Sequence, residues 1–425
     1  MKLKLLSLLP LCFFSGPLHA RDLSPELAQE TFLAVWETID ASFYDRTFNG
    51  LDWQAIKEKY QGQVDTAKSN KELRVVLNAM LGELGRSHFG VIGTSTTRKT
   101  PGTKGTYLGL QLRHHDGRLI VYEITPKSPA AKAGMTPGME IVEVENEPVA
   151  TLLKRHTLDP QSGVLMVYRA LEEILEEMGT PKDGKITLKV NGHESLFDFA
   201  PGKYKGKYGS MGPQRRYPMS FKTRRIPGDQ KVRLIDFDIF LPALMPRLNQ
   251  AVAKAQSENA DGLIIDLRGN PGGLGIMATG LIGRLIDQEL DLGDMNNPSG
   301  NLPFHAFPQE NAYLGPVAVL VDTFSASTSE IFAAALQEHK RAHIIGRPTM
   351  AAVLPSVIDK LPNGDRLQYA IGDFVTAVNK VHLEGRGVIP DELIPLNPAA
   401  LREGKDPDLD AALRWIKSQE NKAKK

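Results

Sequence analysis

Cysteine is almost missing from this chain: Cys12 is the only one in 425 residues. It lies in an N-terminal stretch where Lys2 and Lys4 precede an apolar run, Leu5 to Phe14, broken only by Ser7 and Pro10. Leu18-His19-Ala20 follows, with alanine at the last position. That layout predicts a secretory signal peptide over residues 1–20, too short to stay as a membrane-spanning helix. Leu11 is not the small residue that lipid attachment at Cys12 needs. Cleavage after Ala20 leaves a mature chain with no thiol, which excludes disulfides and thiolate metal sites. The protein is therefore expected to be exported, either periplasmic or secreted. An excess of one charge sign is also lacking, since 51 Lys and Arg face 50 Asp and Glu. Nothing in that balance asks for nucleic acid or a charged membrane as partner. No HExxH or similar ligand spacing occurs, so neither metal nor cofactor is expected.

Residues 21–90 read as a small helical domain. Ser24-Pro25 makes an N-cap and first-turn pair, and Leu27, Phe32, Val35, Trp36, Ile39 and Phe43 recur at helical spacing. Ser69-Asn70-Lys71-Glu72 is a capping box, with Leu73, Val76, Leu77, Met80, Leu81 and Leu84 on one face behind it. Gly85 supplies a stop, and Arg86-Ser87-His88-Phe89-Gly90 leaves it. A Thr-, Gly- and Lys-rich linker is expected over 91–105. Short strands follow over 103–200, with a turn at Asp116-Gly117 and the run Ser128-Pro129-Ala130-Ala131-Lys132-Ala133-Gly134. Residues 201–225 have no clear period and read as a linker or loop. Strands over 232–237, 262–267, 317–321 and 344–346 then alternate with helices near 243–257, 274–286 and 328–339. This alternation predicts an α/β core over 226–400, followed by a C-terminal helix and tail over 401–425.

The 103–200 segment, with its order of strand, hairpin, SPAxxAG helix and strand, resembles a PDZ domain. The resemblance implies that the backbone of Leu108, Gly109 and Leu110 receives a peptide's C-terminal carboxylate while the peptide adds to a sheet edge. Asn146-Glu147 departs from the usual Asn-Gly turn, and residues 151–181 insert a helical stretch. A small sheet domain without a ligand remains the alternative.

Three segments carry possible chemistry. Asp266-Leu267-Arg268-Gly269-Asn270-Pro271-Gly272-Gly273 follows an apolar strand, and its glycines allow exposed amides. It lacks the endings of phosphate loops, which argues against nucleotide binding. Phe324-Ser325-Ala326-Ser327-Thr328-Ser329-Glu330 sits at a strand-to-helix turn, where a serine is either a nucleophile beside the helix dipole or an ordinary N-cap. Glu330, one turn into that helix, reads as a residue favouring the dipole. Glu384-Gly385-Arg386-Gly387-Val388-Ile389-Pro390-Asp391 alone is a glycine-rich turn bearing an acid.

Taken together, in this order and spacing, the three segments resemble the tail-specific, or C-terminal processing, serine peptidases. The resemblance spans nearly the whole mature chain, including the Leu-Gly-Glu-Leu-Gly-x-Ser-His ending of the helical domain. It implies a crotonase-like mixed α/β core and Ser327 as nucleophile. Many members take a lysine as base from a segment that here reads Gly346-Arg347-Pro348-Thr349-Met350-Ala351-Ala352, and Ala352 holds the lysine position. Alanine cannot activate a hydroxyl, and Lys340 and Lys360, nearby in sequence, do not fit the motif; a Ser-Lys version with another lysine as base stays open as a variant. The tricorn-like branch uses histidine and glutamate instead, and its motifs fall on Ser87-His88 and Glu384. The resemblance thus implies Ser327 as nucleophile, His88 as base and then acid, and Glu384 orienting the imidazole through Ser87. The amides of Gly272 or Gly273 and of Thr328 would form the oxyanion hole. Unfolded or C-terminal protein segments would be the substrates. Two rivals stay open: a PDZ-bearing peptide-binding protein on an inactive core, and a small-substrate acyl hydrolase, which would lack the usual GxSxG elbow.

Overall fold

A computed structural model describes residues 23–93, 107–156 and 183–423, together with 171, 174, 175, 178, 179 and 181; within those spans 195, 212, 213, 229, 230 and 299 are not described. The expected signal peptide, nearly all of the expected linker and most of the helical insert lie outside the described residues. Among the described residues no helix is long and apolar enough to cross a membrane.

The N-terminal helices form where their caps predict. Ser24 Oγ accepts from Leu27 N and Pro25 opens the helix Pro25–Ser42. Ser69 Oγ accepts from Glu72 N at the start of Asn70–Gly82, while Glu72 reaches back to Lys68 N. Between them Trp53–Thr66 is capped by Asp52. Trp36 and Trp53 each donate an indole N–H to the other's carbonyl, at 3.0 and 3.3 Å. The apolar faces close on Phe32, Ile39, Leu73, Leu77 and Met80. The same cluster takes in Leu361, Leu367 and Ala370 from the distant hairpin of Ser356–Lys360 and Arg366–Ala370, and Leu354 just before it. Strand Gly90–Ile92 pairs antiparallel with that hairpin, so the chain carrying Ser87 and His88 is held at both ends.

The second unit is an antiparallel sheet in the order Leu110–His115, Arg118–Ile124, Glu140–Val144, Ile186–Val190 and Phe197–Phe199. Asp116 and Gly117 both take positive φ, the geometry of a tight hairpin turn. The next turn has its left-handed residues at Glu145 and Asn146, one position before the expected Asn146-Glu147. Ser128 caps the short helix Pro129–Lys132. At Gly109, φ is 78° and an added Cβ would lie 2.0 Å from Ser128 Cβ, so only glycine fits.

The third unit is a six-stranded sheet ordered Phe221–Arg225, Val232–Phe237, Gly262–Asp266, Val317–Val321, His343–Gly346 and Glu392–Leu393. The first pair is antiparallel and the rest are parallel. Helices Met245–Ser257, Gly275–Ile282 and Thr328–Glu338 cover one face, and Ala411, Ala412 and Ile416 of the helix Pro407–Ala423 cover the other. Cover on both faces explains why Val317–Val321 is buried at every residue and reads as an unbroken apolar run. The expected helix over 274–286 is shorter, Gly275–Ile282. Residues 201–225, expected to be a linker or loop, instead hold the hairpin Lys207–Met211 and Gln214–Met219 and the edge strand Phe221–Arg225. Their mixture of Gly, Lys and Tyr hides the period-two alternation because an edge strand buries little.

The two glycine- and serine-bearing loops leave the carboxyl ends of neighbouring parallel strands. In open α/β sheets that is where crevices form. Here the antiparallel unit packs over them: Phe324, Ala326, Met350 and Ala352 share one hydrophobic cluster with Leu110, Leu112 and Val121.

Candidate active site

Asn270 stitches the glycine loop together. Fully buried, it donates from Nδ2 to Phe237 O at 2.9 Å, and its Oδ1 accepts from Gly272 N at 2.9 Å. Its carbonyl accepts from Ala326 N and from Ser329 Oγ, while Thr328 Oγ1 donates to Gly273 O at 3.0 Å. The loop is thereby fastened to the serine turn at three points. Gly272 has φ 95°, and a Cβ there would lie 2.7 Å from Ala326 O and 2.9 Å from Ser327 Cβ. Glycine is required because the backbone must pass this close to Ser327.

The N-caps Ser24, Ser69 and Ser128 have extended backbones, with φ of −85°, −150° and −68°. Ser327 does not: its φ is 54° and its ψ is −117°, a sparsely populated conformation for a residue with a side chain. Two contacts hold it there. Ser327 N–H lies 2.9 Å from Ala352 O and 2.9 Å from Glu330 Oε2.

Glu330 does more than favour the helix dipole. It is fully buried and accepts four hydrogen bonds: Ser327 N and Ala352 N at Oε2, Thr349 Oγ1 and Ala351 N at Oε1. Burial pushes its carboxyl up to about 7, against the pull of these donors. Gly387, with φ 70°, passes so near that a Cβ would meet Thr349 Oγ1 at 2.7 Å and Glu330 Oε1 at 3.2 Å.

Glu384 comes from the turn after Leu383. Its Oε1 accepts from Ser87 N at 2.7 Å, and its Oε2 accepts from Ser87 Oγ at 2.8 Å and Val353 N at 2.9 Å. Ser87 Oγ lies 2.7 Å from His88 Nδ1. Burial raises the Glu384 carboxyl, opposed by the Ser87 and Val353 donors. His88 itself has φ 61°, so its ring is set by a strained backbone on an anchored segment. Residues 297 positions apart thus meet. Glu384, Ser87 and His88 form one chain, and Ala352-Val353 links it to Ser327.

Of the expected amides, Gly272 N–H is already given to Asn270 Oδ1. That acceptor lies 2.9 Å from the amide. Gly273 N and Thr328 N find no acceptor among the described residues. In the antiparallel unit, Leu108 and Leu110 are buried, and the carbonyls of Leu108 and Gly109 accept from Ala130 N and Thr125 N. The Leu108 and Gly109 amides likewise find no acceptor among the described residues. No cluster of three or more His, Cys, Asp or Glu able to hold a metal occurs among the described residues. Glu330, Asn270 and the buried Asp322 carry more of the site than their sequence context announces. The Ser-x-x-Glu spacing of Ser327 and Glu330 is the available signal, since Glu at that position reaches back to its own cap.

These features define a hydrolase core of the serine peptidase class. The family model "Peptidase family S41" matches residues 232–394, and "Tricorn protease C1 domain" matches residues 25–82. Over residues 232–394 the chain is thus similar to peptidase family S41. The chain is 26% identical over 375 residues to a carboxyl-terminal-processing protease of Synechocystis, covering 86% of this chain and 81% of that one. It is 24% identical over 287 residues to the carboxy-terminal processing protease CtpA of Bacillus subtilis, covering 65% and 54%. Among solved structures, the photosystem II D1 C-terminal processing protease superposes with a TM-score of 0.60 at 22% identity, covering 91% and 96%. Mature CPAF bound to lactacystin gives 0.64 at 15% identity, covering 92% and 98%. At such identities the structural likenesses speak for the fold.

Proposed function

We propose that this serine peptidase is exported and cleaves unfolded or C-terminal protein segments through an acyl-enzyme on Ser327, with His88 as base and Glu384 and Ser87 as its orienting pair. The observation that carries the reading is the unbroken Glu384–Ser87–His88 hydrogen-bond chain. A carboxylate accepting from Ser87 Oγ turns that oxygen's lone pair toward Nδ1–H of His88. This fixes the tautomer in which Nε2 carries the basic lone pair, the role a directly bonded acid plays in the familiar triad. His88 takes the Ser327 proton as Oγ attacks the carbonyl carbon and later gives it to the departing amine. Water then repeats the cycle to release the acid product. The Gly273 and Thr328 amides, at a helix N-terminus, receive the developing oxyanion.

Ala352 supports histidine over lysine. Its methyl group is buried with Phe324 and Met350, and its backbone is spent on Ser327 N and Glu330 Oε2. For the antiparallel unit we read a PDZ-like domain. It would take a substrate's terminal carboxylate on the Leu108 and Gly109 amides, with the peptide lying along the edge strand Leu110–His115. The names of the relatives, carboxyl-terminal-processing proteases, agree with that choice of substrate.

Turnover of casein by wild type, Ser327→Ala and His88→Ala, with a fluorophosphonate label in parallel, tests the reading. Both variants should be inactive and the label should sit on Ser327 alone. Cleavage that survives His88→Ala overturns the histidine assignment. A wild type that neither cleaves nor labels leaves a peptide-binding protein.

A further inference from the structure

We propose that Arg113, on the edge strand of the antiparallel unit, is a positioning residue for the active site, acting through Asp322. This rests on Ser327 being the nucleophile. The two side chains are 5% and 0% exposed, come from different units, and meet at 2.7 Å through Arg113 Nε and Asp322 Oδ2.

The division of labour between the two oxygens of Asp322 is the key observation. Oδ1 accepts from Gly269 N and Phe324 N, both at 2.9 Å. The first opens the glycine loop that leads to Gly272 and Gly273, and the second lies three residues before Ser327. One oxygen therefore fixes the spacing of the two loops that must meet around a tetrahedral intermediate. The other oxygen faces the neighbouring unit. A buried carboxylate left without its cation would protonate or draw in water, and either change loosens Oδ1 as well. Burial alone would raise this carboxyl, yet the Arg113 and Arg347 charges and the Gly269 amide hold it below the usual carboxylate range.

Arg113 cannot drift from this post. Its guanidinium lies over the rings of Tyr122 and Phe324, 4.4 and 4.6 Å from their centroids, and Nη1 donates to Leu112 O at 3.0 Å. Nη2 sits 3.4 Å from Gln111 Oε1. Such a stacked, forked contact is one that lysine could not copy. The strand along which a peptide is expected to lie thereby holds the loop that bears Ser327.

The experiment is a double-mutant cycle read by the labelling rate of Ser327 with a small fluorophosphonate, alongside urea midpoints. Arg113→Met should slow labelling about tenfold, within the range that contacting residues show in such cycles. Adding Asp322→Asn should recover most of that loss, because the carboxamide keeps an oxygen for both backbone amides and needs no cation. If Arg113→Met does not fold, Asp322→Asn alone against the double variant carries the test, and the double variant should again label faster. A double variant no faster than either single, or an Arg113→Met that labels normally while melting earlier, overturns the proposal and leaves Arg113 with a packing role. Labelling that persists in Ser327→Ala overturns the nucleophile reading itself, a separate outcome.

Discussion

Glu330→Gln isolates what the buried carboxylate does for the turn at Ser327. Each oxygen of Glu330 serves two donors, so an amide in its place must turn its NH2 toward one pair. If that pair is Ser327 N and Ala352 N, two buried backbone donors lose this acceptor, although Ser327 N keeps Ala352 O nearby. If it is the other, Ala351 N and Thr349 Oγ1 lose theirs, and Thr349 Oγ1 is already engaged by Val388 N. At roughly 1–3 kcal/mol for each buried donor left unmet, the substitution costs about 2–6 kcal/mol. That is a large share of the ~5–15 kcal/mol that holds a domain together. Because the folded carboxyl sits at about 7, above its unfolded value, wild type gains stability from the bound proton below pH 4.5. That gain is lost as pH rises to about 7. Glutamine does not titrate, so the deficit of the variant should be larger at pH 5 than at pH 8. Urea unfolding at the two pH values measures both, with the m-value as a check on two-state behaviour. A variant within about 0.5 kcal/mol of wild type at pH 5, the scale of ordinary surface changes, would refute this account of the cradle.

On the proposed Glu384–Ser87–His88 relay, Ser87→Ala should lower kcat by roughly 10²-fold, with little change in KM, and Ser87→Thr should restore part of it. Gly272→Ala forces a Cβ against Ala326 O and Ser327 and, with Ser327 as the proposed nucleophile, should cost about 10²-fold in turnover through its misplacement. Asp238 is half-buried, receives Ser220 N on both oxygens, and is pushed up by desolvation to about 7. The stability this gives is present below about pH 4 and lost by pH 7, so Asp238→Asn should gain on wild type across that window in pH-dependent melting.

Much of the fold is legible in local signals. Ser24 and Ser69 announce their roles because caps act over a few residues. The four core strands read correctly because cover on both faces makes them continuously apolar. Residues 201–225 do not, since the edge strand Phe221–Arg225 buries too little to print an alternation. Ser87, His88 and Glu384 are reached only through family resemblance; no spacing rule joins positions 297 apart. Partnership is what the sequence hides most fully. Glu330 reads as a dipole residue because the amides of Ala351 and Ala352, its real partners, have no side-chain signature. Arg113 and Asp322 are silent for the same reason as any long-range ion pair.

Phe324, Ala326, Met350 and Ala352 belong to the α/β core in sequence, yet they are interior residues of the antiparallel sheet's cluster. A boundary drawn between the antiparallel sheet and the α/β core thus cuts through a shared interior. Excising either half would bare an apolar face beside Ser327, and grafting a sheet from a relative would bring side chains shaped for another turn. In this molecule the antiparallel sheet and the α/β core are not exchangeable modules. They must vary together, and a change of substrate preference on one side is constrained by packing on the other.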